Sequence, residues 1–390
     1  MSEPLSAREA VCRLLAATWD PQGLPAPAAI PWPEVLRLVG PSNVVGVVHV
    51  VTQEMRASMP TDVRETLEVA FFRTAAANAR CLHQLAELWS GLSRVGAPLL
   101  LLKGAALAET LYVDPSLRLI GDVDLAVPVE AVQDCRRALL ALGYTPGQVE
   151  EQPGSLLAHS NQELFEPPPP YRTTVELHWH ILDVPYYLHK VPMAWFWDHT
   201  ERLSVAGGEF MMLDAEANLL YLPAHLALHH RFRGWHSLLD LALLIVQSGD
   251  QLDWDRIAAV AQSFDLLMAL RTTVDRLARC WPSLPVDGVQ EALQAQTPSR
   301  TDARLFRLLT AESRSNVLDW YTTMVSLPGL GERVRFVWTY VFPNVAYMRQ
   351  RYGVEAGWQL PYWYLARLAG GLNRLVCILP QASRLDRGRS

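Results

Sequence analysis

The spacing of apolar positions predicts helices in the first part of the chain. Apolar residues recur at helical intervals over 6–19, over Trp32–Val39 and over a long stretch, 61–95, with Thr61 as its N-cap. A proline-rich loop, 21–31, separates the first two helices.

Short apolar runs replace the helical spacing from residue 98. The run 98–102 predicts a buried strand, and Lys103 and Gly104 follow it at the start of a helix-forming segment. A second apolar strand holds Asp122 and Asp124. Residues i and i+2 of a strand point to the same face, so these two carboxylates are expected side by side. The plain alternative is a pair of solvated charges at a strand end.

Three further elements are expected before the pattern becomes helical again at 214–247. A covering helix is expected over 129–142, with Gly143 placed to end it, and strands are expected over 156–165 and 171–180. In the last of these strands Glu176, His178 and His180 would share one face.

The acidic strand and the segment before it point to phosphate and metal chemistry. Two adjacent anions repel each other unless a cation joins them, and Mg²⁺ prefers such oxygen ligands. A strand, a glycine and a helix N-terminus form a cradle for phosphate, because free backbone N–H groups and the helix dipole favour an anion. Lys103 would add a positive charge beside Gly104.

Leu102-Lys103-Gly104, Arg118 and Asp122-Val123-Asp124-Leu125 resemble an LKG…R…DxDL signature. This signature is typical of the uncharacterised branch of the polymerase-β-like nucleotidyltransferases. The superfamily usually has Gly-Ser where this chain has Lys103-Gly104. In that superfamily a third carboxylate follows on a later strand, and Glu176 takes its place within a matching VELHW segment.

The resemblance implies roles for these residues. Asp122, Asp124 and Glu176 would be catalytic and would bind Mg²⁺ or Mn²⁺, while Lys103 and Gly104 would contact the triphosphate of an NTP, with ATP the expected nucleotide. The implied reaction transfers an NMP to an acceptor hydroxyl or phosphate and releases pyrophosphate. The acceptor would be a small molecule, a peptide or a protein, with nucleic acid less favoured.

Four more residues are candidates for binding nucleotide or acceptor. Arg118 is expected on the strand of the aspartates, where it would steady them or clamp a phosphate, or else it is a surface arginine. His178 either assists the acids or the acceptor, or is a half-buried structural histidine. His225 and His229 share a helix face and either line the cleft or pack within a helical bundle.

Composition narrows the classes of protein. Half of the 390 residues are hydrophobic and the net charge is −6 at pH 7, which is a globular composition and argues against broad nucleic-acid binding. The five cysteines lack Cys-x-x-Cys spacing and are expected to be reduced in a cytoplasmic protein. We expect neither a secretory signal nor a membrane helix.

The expected fold class is α+β, with a polymerase-β-like nucleotidyltransferase core, a small mixed sheet with helices, at 97–213. A helical region at 1–96 and a helical domain at 214–382 would frame this core, and 383–390 would be a disordered tail. The segment 302–379 is rich in aromatic residues and arginines, and we expect mainly core packing there. A membrane-surface role for 358–379 is the alternative.

Other functions stay open at this point. The first is a non-catalytic binding or scaffold protein that retained the fold. The second is a metal-dependent phosphohydrolase, which would require His225, His229, His230 and Asp240 to converge. Zinc bound by Glu176, His178 and His180 is less favoured, because carboxylates in the same unit favour Mg²⁺ or Mn²⁺.

Overall fold

The computed structural model describes residues 5–286, 288–311, 323–324, 327 and 329–370. Its helices, in chain order, are α1 (Ala7–Ala16), α2 (Trp32–Val39), α3 (Val45–Val51), α4 (Thr61–Leu92), α5 (Lys103–Leu111), α6 (Val132–Ala141), α7 (Ser155–His159), α8 (Pro185–Lys190), α9 (Met193–Asp198), α10 (Ala215–Ala224), α11 (Trp235–Ser248), α12 (Trp254–Ser263), α13 (Leu267–Cys280), α14 (Val289–Ala295), α15 (Arg300–Thr310), α16 (Leu330–Val341) and α17 (Val345–Tyr352). Residues 360–370 are also helical. The predicted tail lies outside the described residues.

Seven strands form one mixed sheet, which confirms the predicted α+β class. They are β1 (Leu100–Leu101), β2 (Asp122–Ala126), β3 (Thr145–Pro146), β4 (Gln162–Glu166), β5 (Thr174–His178), β6 (Thr200–Val205) and β7 (Gly208–Leu213). Their order is β3-β4-β5-β2-β1-β7-β6. The central pair β2 and β5 is parallel, whereas β1 runs antiparallel to β2.

The two faces of the central strands have opposite chemistry, as their alternating sequence predicts. Val123 and Leu125 of β2 and Val175 and Leu177 of β5 are fully buried in one apolar cluster with residues of α4 and α6. The acidic residues alternate with them and therefore face the other side of the sheet. A second, larger apolar cluster on the chain joins α1, α2 and α3 to α10, α11, α12 and α13.

Several predicted boundaries change in the structure. Pro60, not Thr61, is the N-cap of α4, because helical backbone begins at Thr61 itself. The segment 156–165 is not one strand, since α7 occupies its first half and β4 its second. Gly143 does end the covering helix, with a φ of 88° that an L side chain rarely adopts.

The expectation that all cysteines are reduced is wrong for two of them. Cys12 of α1 and Cys280 at the end of α13 form a disulfide with their Cα atoms 5.7 Å apart, although 268 positions separate them in the sequence. Sequence spacing carries no information about such a pair, because packing of α1 against α13 creates it. Cys81 and Cys135 are free and buried, and Cys377 lies outside the described residues.

The expectation of mainly core packing is wrong for much of the aromatic C-terminal segment. Trp338, Trp358 and Tyr362 are 60%, 80% and 66% exposed. Helical spacing shows that one side of a helix is apolar, but it does not show that another element covers that side. Part of 358–379 lies outside the described residues. Among all described residues, no helix is both long enough and apolar enough to cross a bilayer.

Candidate active site

The parallel pairing of β2 and β5 brings the predicted acids together. Asp122 lies opposite Thr174 and Asp124 lies opposite Glu176, so the two strands carry their carboxylates on one face at adjacent positions. Asp124, Glu176 and His178 present possible ligand atoms that all lie within 4.8 Å of one another. Glu176 and His178 border one polar cavity, Asp124 borders a second, and Asp122 lines both.

Asp124 is the most buried of the three candidate site acids and has two polar partners. Its Oδ1 accepts from Lys103 Nζ at 2.9 Å and lies 3.0 Å from His178 Nε2. Burial alone would raise its pKa, but Lys103 and His178 outweigh burial and lower the pKa of Asp124. Asp124 is therefore a carboxylate over the working pH range.

Asp122 is half-buried and, among the described residues, has no hydrogen bond or ion pair of this kind. Burial and then the neighbouring charge of Asp124 raise the pKa of Asp122 to about 6, and Glu176 adds to that effect. The rise of the pKa thus has burial as its main cause and repulsion from the neighbouring carboxylates as its second. A bound divalent cation would relieve this repulsion.

Asn161 contributes to the hydrogen-bonding role of His178. Its Nδ2 donates to the carbonyl of His180 at 3.2 Å and lies 3.3 Å from His178 Nδ1. Because the His180 carbonyl fixes the orientation of the amide, Nδ1 of His178 accepts and Nε2 carries the proton. His178 Nε2 thus donates to Asp124, which makes this histidine a positioning residue for the acid.

Lys103 begins α5 in an unusual backbone conformation. Its φ is 42°, in the left-handed region that non-glycine residues seldom occupy. Burial disfavours its charge, yet Asp124 raises the pKa of Lys103, so the ammonium is retained. Gly104, in the first turn of α5, is buried, and its carbonyl accepts from Arg118 Nη1 at 3.1 Å.

Arg118 does not lie on the strand of the aspartates, so that prediction is wrong. It follows the 3₁₀ turn Pro115–Leu117, and β2 begins four residues later. Its Nε and Nη2 bind both carboxylate oxygens of Asp240 at 2.9–3.1 Å, and Tyr112 donates to the same carboxylate at 2.7 Å. Arg118 is thus buried and links α11, through Asp240, to the first turn of α5, through the Gly104 carbonyl.

The predicted histidines stand on the far wall of the cavity. Residues His225–His229 form a π-helical turn directly after α10, whose last turn contains Pro223. The rings of His225 and His229 stack with centroids 5.0 Å apart. His225 Nε2 lies 3.5 Å from Lys103 Nζ. Burial and then Lys103 hold the pKa of His225 well below its ordinary value, so its ring is neutral.

The sites required by two alternative functions are not assembled in the described residues. Asp240 is bound by Arg118 and Tyr112, and among the described residues it forms no metal-ligating group with His225, His229 and His230. Both ring nitrogens of His180 lie within 3.2 Å of backbone carbonyls, of Leu182 and Val191, so it does not complete a zinc site with Glu176.

The cavity has two adjoining parts, which share the lining residues Lys103, Asp122, His225 and His230. The larger, about 330 Å³, extends past Glu176, His178, Asn161 and His229. The smaller, about 200 Å³, extends past Gly104, Arg118, Gly121 and Asp124. A site with two compartments on either side of the acids could hold two substrates.

Sequence reasoning missed three residues that shape this site. Asn161 orients His178, and Tyr221 of α10 lies beside Lys103 in the cavity wall. Asn78, from the middle of α4, donates to the carbonyls of Pro115 and Arg118 at 2.7 Å and so holds the loop before β2. Of these, only Asn78 gave a signal, as an amide on the buried side of a long helix.

Carboxylates gathered on one face of a mixed sheet, beside a lysine at a helix start, are characteristic of proteins that transfer phosphoryl or nucleotidyl groups with metal ions. Comparison with protein families narrows this class. The family described as uncharacterised nucleotidyltransferase matches residues 28–282, more than half of the chain, and the chain belongs to this family.

Comparison with individual proteins adds little. The crystal structure of an antigenic nucleotidyltransferase-like protein from Paracoccidioides brasiliensis is similar to this chain, with 17% sequence identity and a TM-score of 0.35. The match covers 56% of this chain and 95% of that chain. No curated protein matches the chain.

Proposed function

We propose that this protein is a metal-dependent nucleotidyltransferase that transfers an NMP from an NTP, with ATP the expected nucleotide, to an acceptor. The observation that carries the proposal is the convergence of Asp122, Asp124 and Glu176 beside Lys103, around two adjoining cavities and within the segment matched by the family. The core at 97–213 and the cytoplasmic location stay predictions.

The donor set fits a hard divalent cation. Carboxylate oxygens of Asp122, Asp124 and Glu176 are available on one face, and oxygen ligands favour Mg²⁺ or Mn²⁺. We assign His178 to positioning and not to the metal, because its Nε2 donates to Asp124 in this arrangement. When bound, the metal ions would polarise the reacting phosphate and the acceptor group.

The smaller compartment suits the triphosphate. It borders the first turn of α5, whose free N–H groups and positive dipole end favour an anion, and Lys103 supplies a retained positive charge there. Arg118 acts on this compartment indirectly, because its guanidinium holds the Gly104 carbonyl and is neutralised by Asp240. We therefore assign Arg118 to positioning in place of the predicted phosphate clamp.

The larger compartment suits the acceptor. Its own wall carries Asn161 and Gln162, which can donate and accept hydrogen bonds, and it shares the neutral rings of His225 and His230 with the smaller compartment. These groups recognise hydroxyls better than they recognise a second phosphate. A small molecule or a side chain with a free hydroxyl is the acceptor we propose.

Metal binding tests the proposal without knowledge of the acceptor. We expect the protein to bind Mn²⁺ more tightly in the presence of ATP, measured by electron paramagnetic resonance of free Mn²⁺. Asp122→Asn with Asp124→Asn should abolish this binding, whereas the exposed Asp250→Asn should not alter it. Equal Mn²⁺ binding by all variants would contradict the proposed metal site and favour the scaffold alternative.

Transfer is measured with ATP labelled at the α-phosphate, offered with a panel of hydroxyl compounds and with cell lysate. Glu176→Gln keeps the size of the side chain and removes its charge, and we expect at least a hundredfold loss of labelling, in line with the loss of an electrostatic catalytic group. Labelling that persists in this variant would exclude Glu176 as a catalytic residue.

A further inference from the structure

Four arginines line a second cleft, which lies between α1 and α13. The cleft measures about 760 Å³ and is bordered by Arg8 and Arg13 of α1 and by Arg276 and Arg279 of α13. It shares no lining residue with the two compartments of the candidate active site. It therefore has the volume of a ligand pocket at a separate place in the fold.

The charge of this cleft opposes that of the whole chain. Glu9 is its one acidic lining residue, so four arginines and one glutamate give a local charge of +3, against −6 for the complete sequence. Glu9 is already engaged by Ser6, whose N and Oγ donate to its carboxylate at 3.0 and 2.7 Å. Within the described residues, none of the four arginines forms an ion pair with a carboxylate.

Aromatic contacts hold two of the guanidinium groups in place. Arg276 Cζ lies 4.0 Å from the ring centre of Phe232, and Arg8 Cζ lies 5.5 Å from that of Trp235. Nε of Arg276 is buried and has no hydrogen-bond partner in the part of the chain that the structure describes. Burial and the nearby charges of Arg279 and Arg8 lower the pKa of Arg276, which shows that the cations repel one another.

The two helices that carry these arginines are fastened together. The Cys12–Cys280 disulfide joins them at the cleft, and the indole of Trp281 donates to the carbonyl of Cys12 at 2.7 Å. Trp281 also packs edge to face on Trp19, with ring centres 5.4 Å apart. The disulfide and this hydrogen bond thus keep the mutually repelling arginines close together. An anion bound between them would relieve the repulsion without the cost of bringing the two helices together.

We propose that this cleft binds a small oligophosphate, an anion with two or three linked phosphate groups. Guanidinium groups bind phosphate oxygens in a bidentate manner, and one phosphate engages only one or two of them. Four cations across a cleft of this volume therefore match several linked phosphates. Inorganic oligophosphate and the phosphate chain of a nucleotide share this chemistry.

Isothermal titration calorimetry with tripolyphosphate tests the proposal on the full chain. EDTA is present, so that binding does not depend on the metal of the candidate active site. We expect Arg13→Gln with Arg279→Gln to weaken binding at least about tenfold, because each lost guanidinium removes charge-assisted hydrogen bonds. Arg73→Gln with Arg94→Gln makes the same change of charge at exposed positions away from the cleft and should leave the affinity unchanged.

Two parallel titrations identify the source of the phosphates. Equal affinities for tripolyphosphate and ATP would assign recognition to the phosphates alone, and tighter binding of ATP that is lost in the cleft variant would assign a nucleotide. Absence of binding, or equal affinity in the wild type and the cleft variant, would overturn the proposal. Because no transfer is measured, this result is independent of the proposed catalytic function.

Discussion

Asp240→Asn should destabilise the protein strongly, because it leaves a buried guanidinium without a counter-charge. Arg118 is 7% exposed and Asp240 is 2% exposed. Three contacts of 2.9–3.1 Å join the two side chains, and Tyr112 adds a fourth hydrogen bond. Asparagine has nearly the same volume, so the change removes charge without opening a cavity.

The expected loss follows from the burial of the pair. Removal of one partner of a buried ion pair costs about 3–5 kcal/mol, since the remaining charge stays desolvated. The asparagine oxygen can still accept from Tyr112, but its amide hydrogens would point toward the donors of Arg118. We therefore expect a loss of about 3–5 kcal/mol in the free energy of unfolding.

Urea denaturation followed by circular dichroism measures this loss. The matched control is Asp134→Asn, which removes the same charge from an exposed ion pair with Arg137, and it should leave the transition nearly unchanged. Arg118→Met with Asp240→Leu should recover much of the stability, because no charge is then stranded. A loss below about 1 kcal/mol for Asp240→Asn would refute the reasoning, because it lies well under the cost expected of a broken buried pair.

Three further predictions concern other parts of the molecule. Burial raises the pKa of Asp302 to about 6 from 3.8, so ionisation of this carboxyl opposes folding. As the pH rises from 4 to 7, the free energy of unfolding of Asp302→Asn should therefore increase relative to that of the wild type, by up to about 3 kcal/mol. A pH-independent difference in urea denaturation would contradict this sign. Cys12→Ser with Cys280→Ser should lower the free energy of unfolding by about 2–5 kcal/mol. A thermal transition equal to that of the wild type without reductant would show that the disulfide does not stabilise the fold. Asn161→Leu removes the donor to Nδ1 of His178 but leaves the Asp124 carboxylate as the acceptor for Nε2–H, so ¹⁵N NMR of the imidazole should show the Nε2–H form in the variant and in the wild type; a mixture of tautomers in the variant would show that Asp124 does not fix the proton.

Local patterns in the sequence predicted much of the secondary structure. The long helix over 61–95 corresponds to α4, and the alternation around Asp122 and Glu176 corresponds to β2 and β5. These predictions succeeded because apolar spacing directly reflects which side of an element is buried. They failed where two local signals compete within a few residues, as in 156–165, where a short helix and a strand follow each other.

The sequence by itself determined the fold class, the acidic face of the central strands and the lysine–glycine start of α5, because each depends on residues close together in the chain. Only the tertiary structure decided which distant groups meet. Arg118 binds Asp240 across 122 positions, and Cys12 joins Cys280 across 268. The same is true of the arginine cleft, whose halves lie on α1 and α13. Such contacts depend on how whole elements pack, and no periodicity along the chain records that packing.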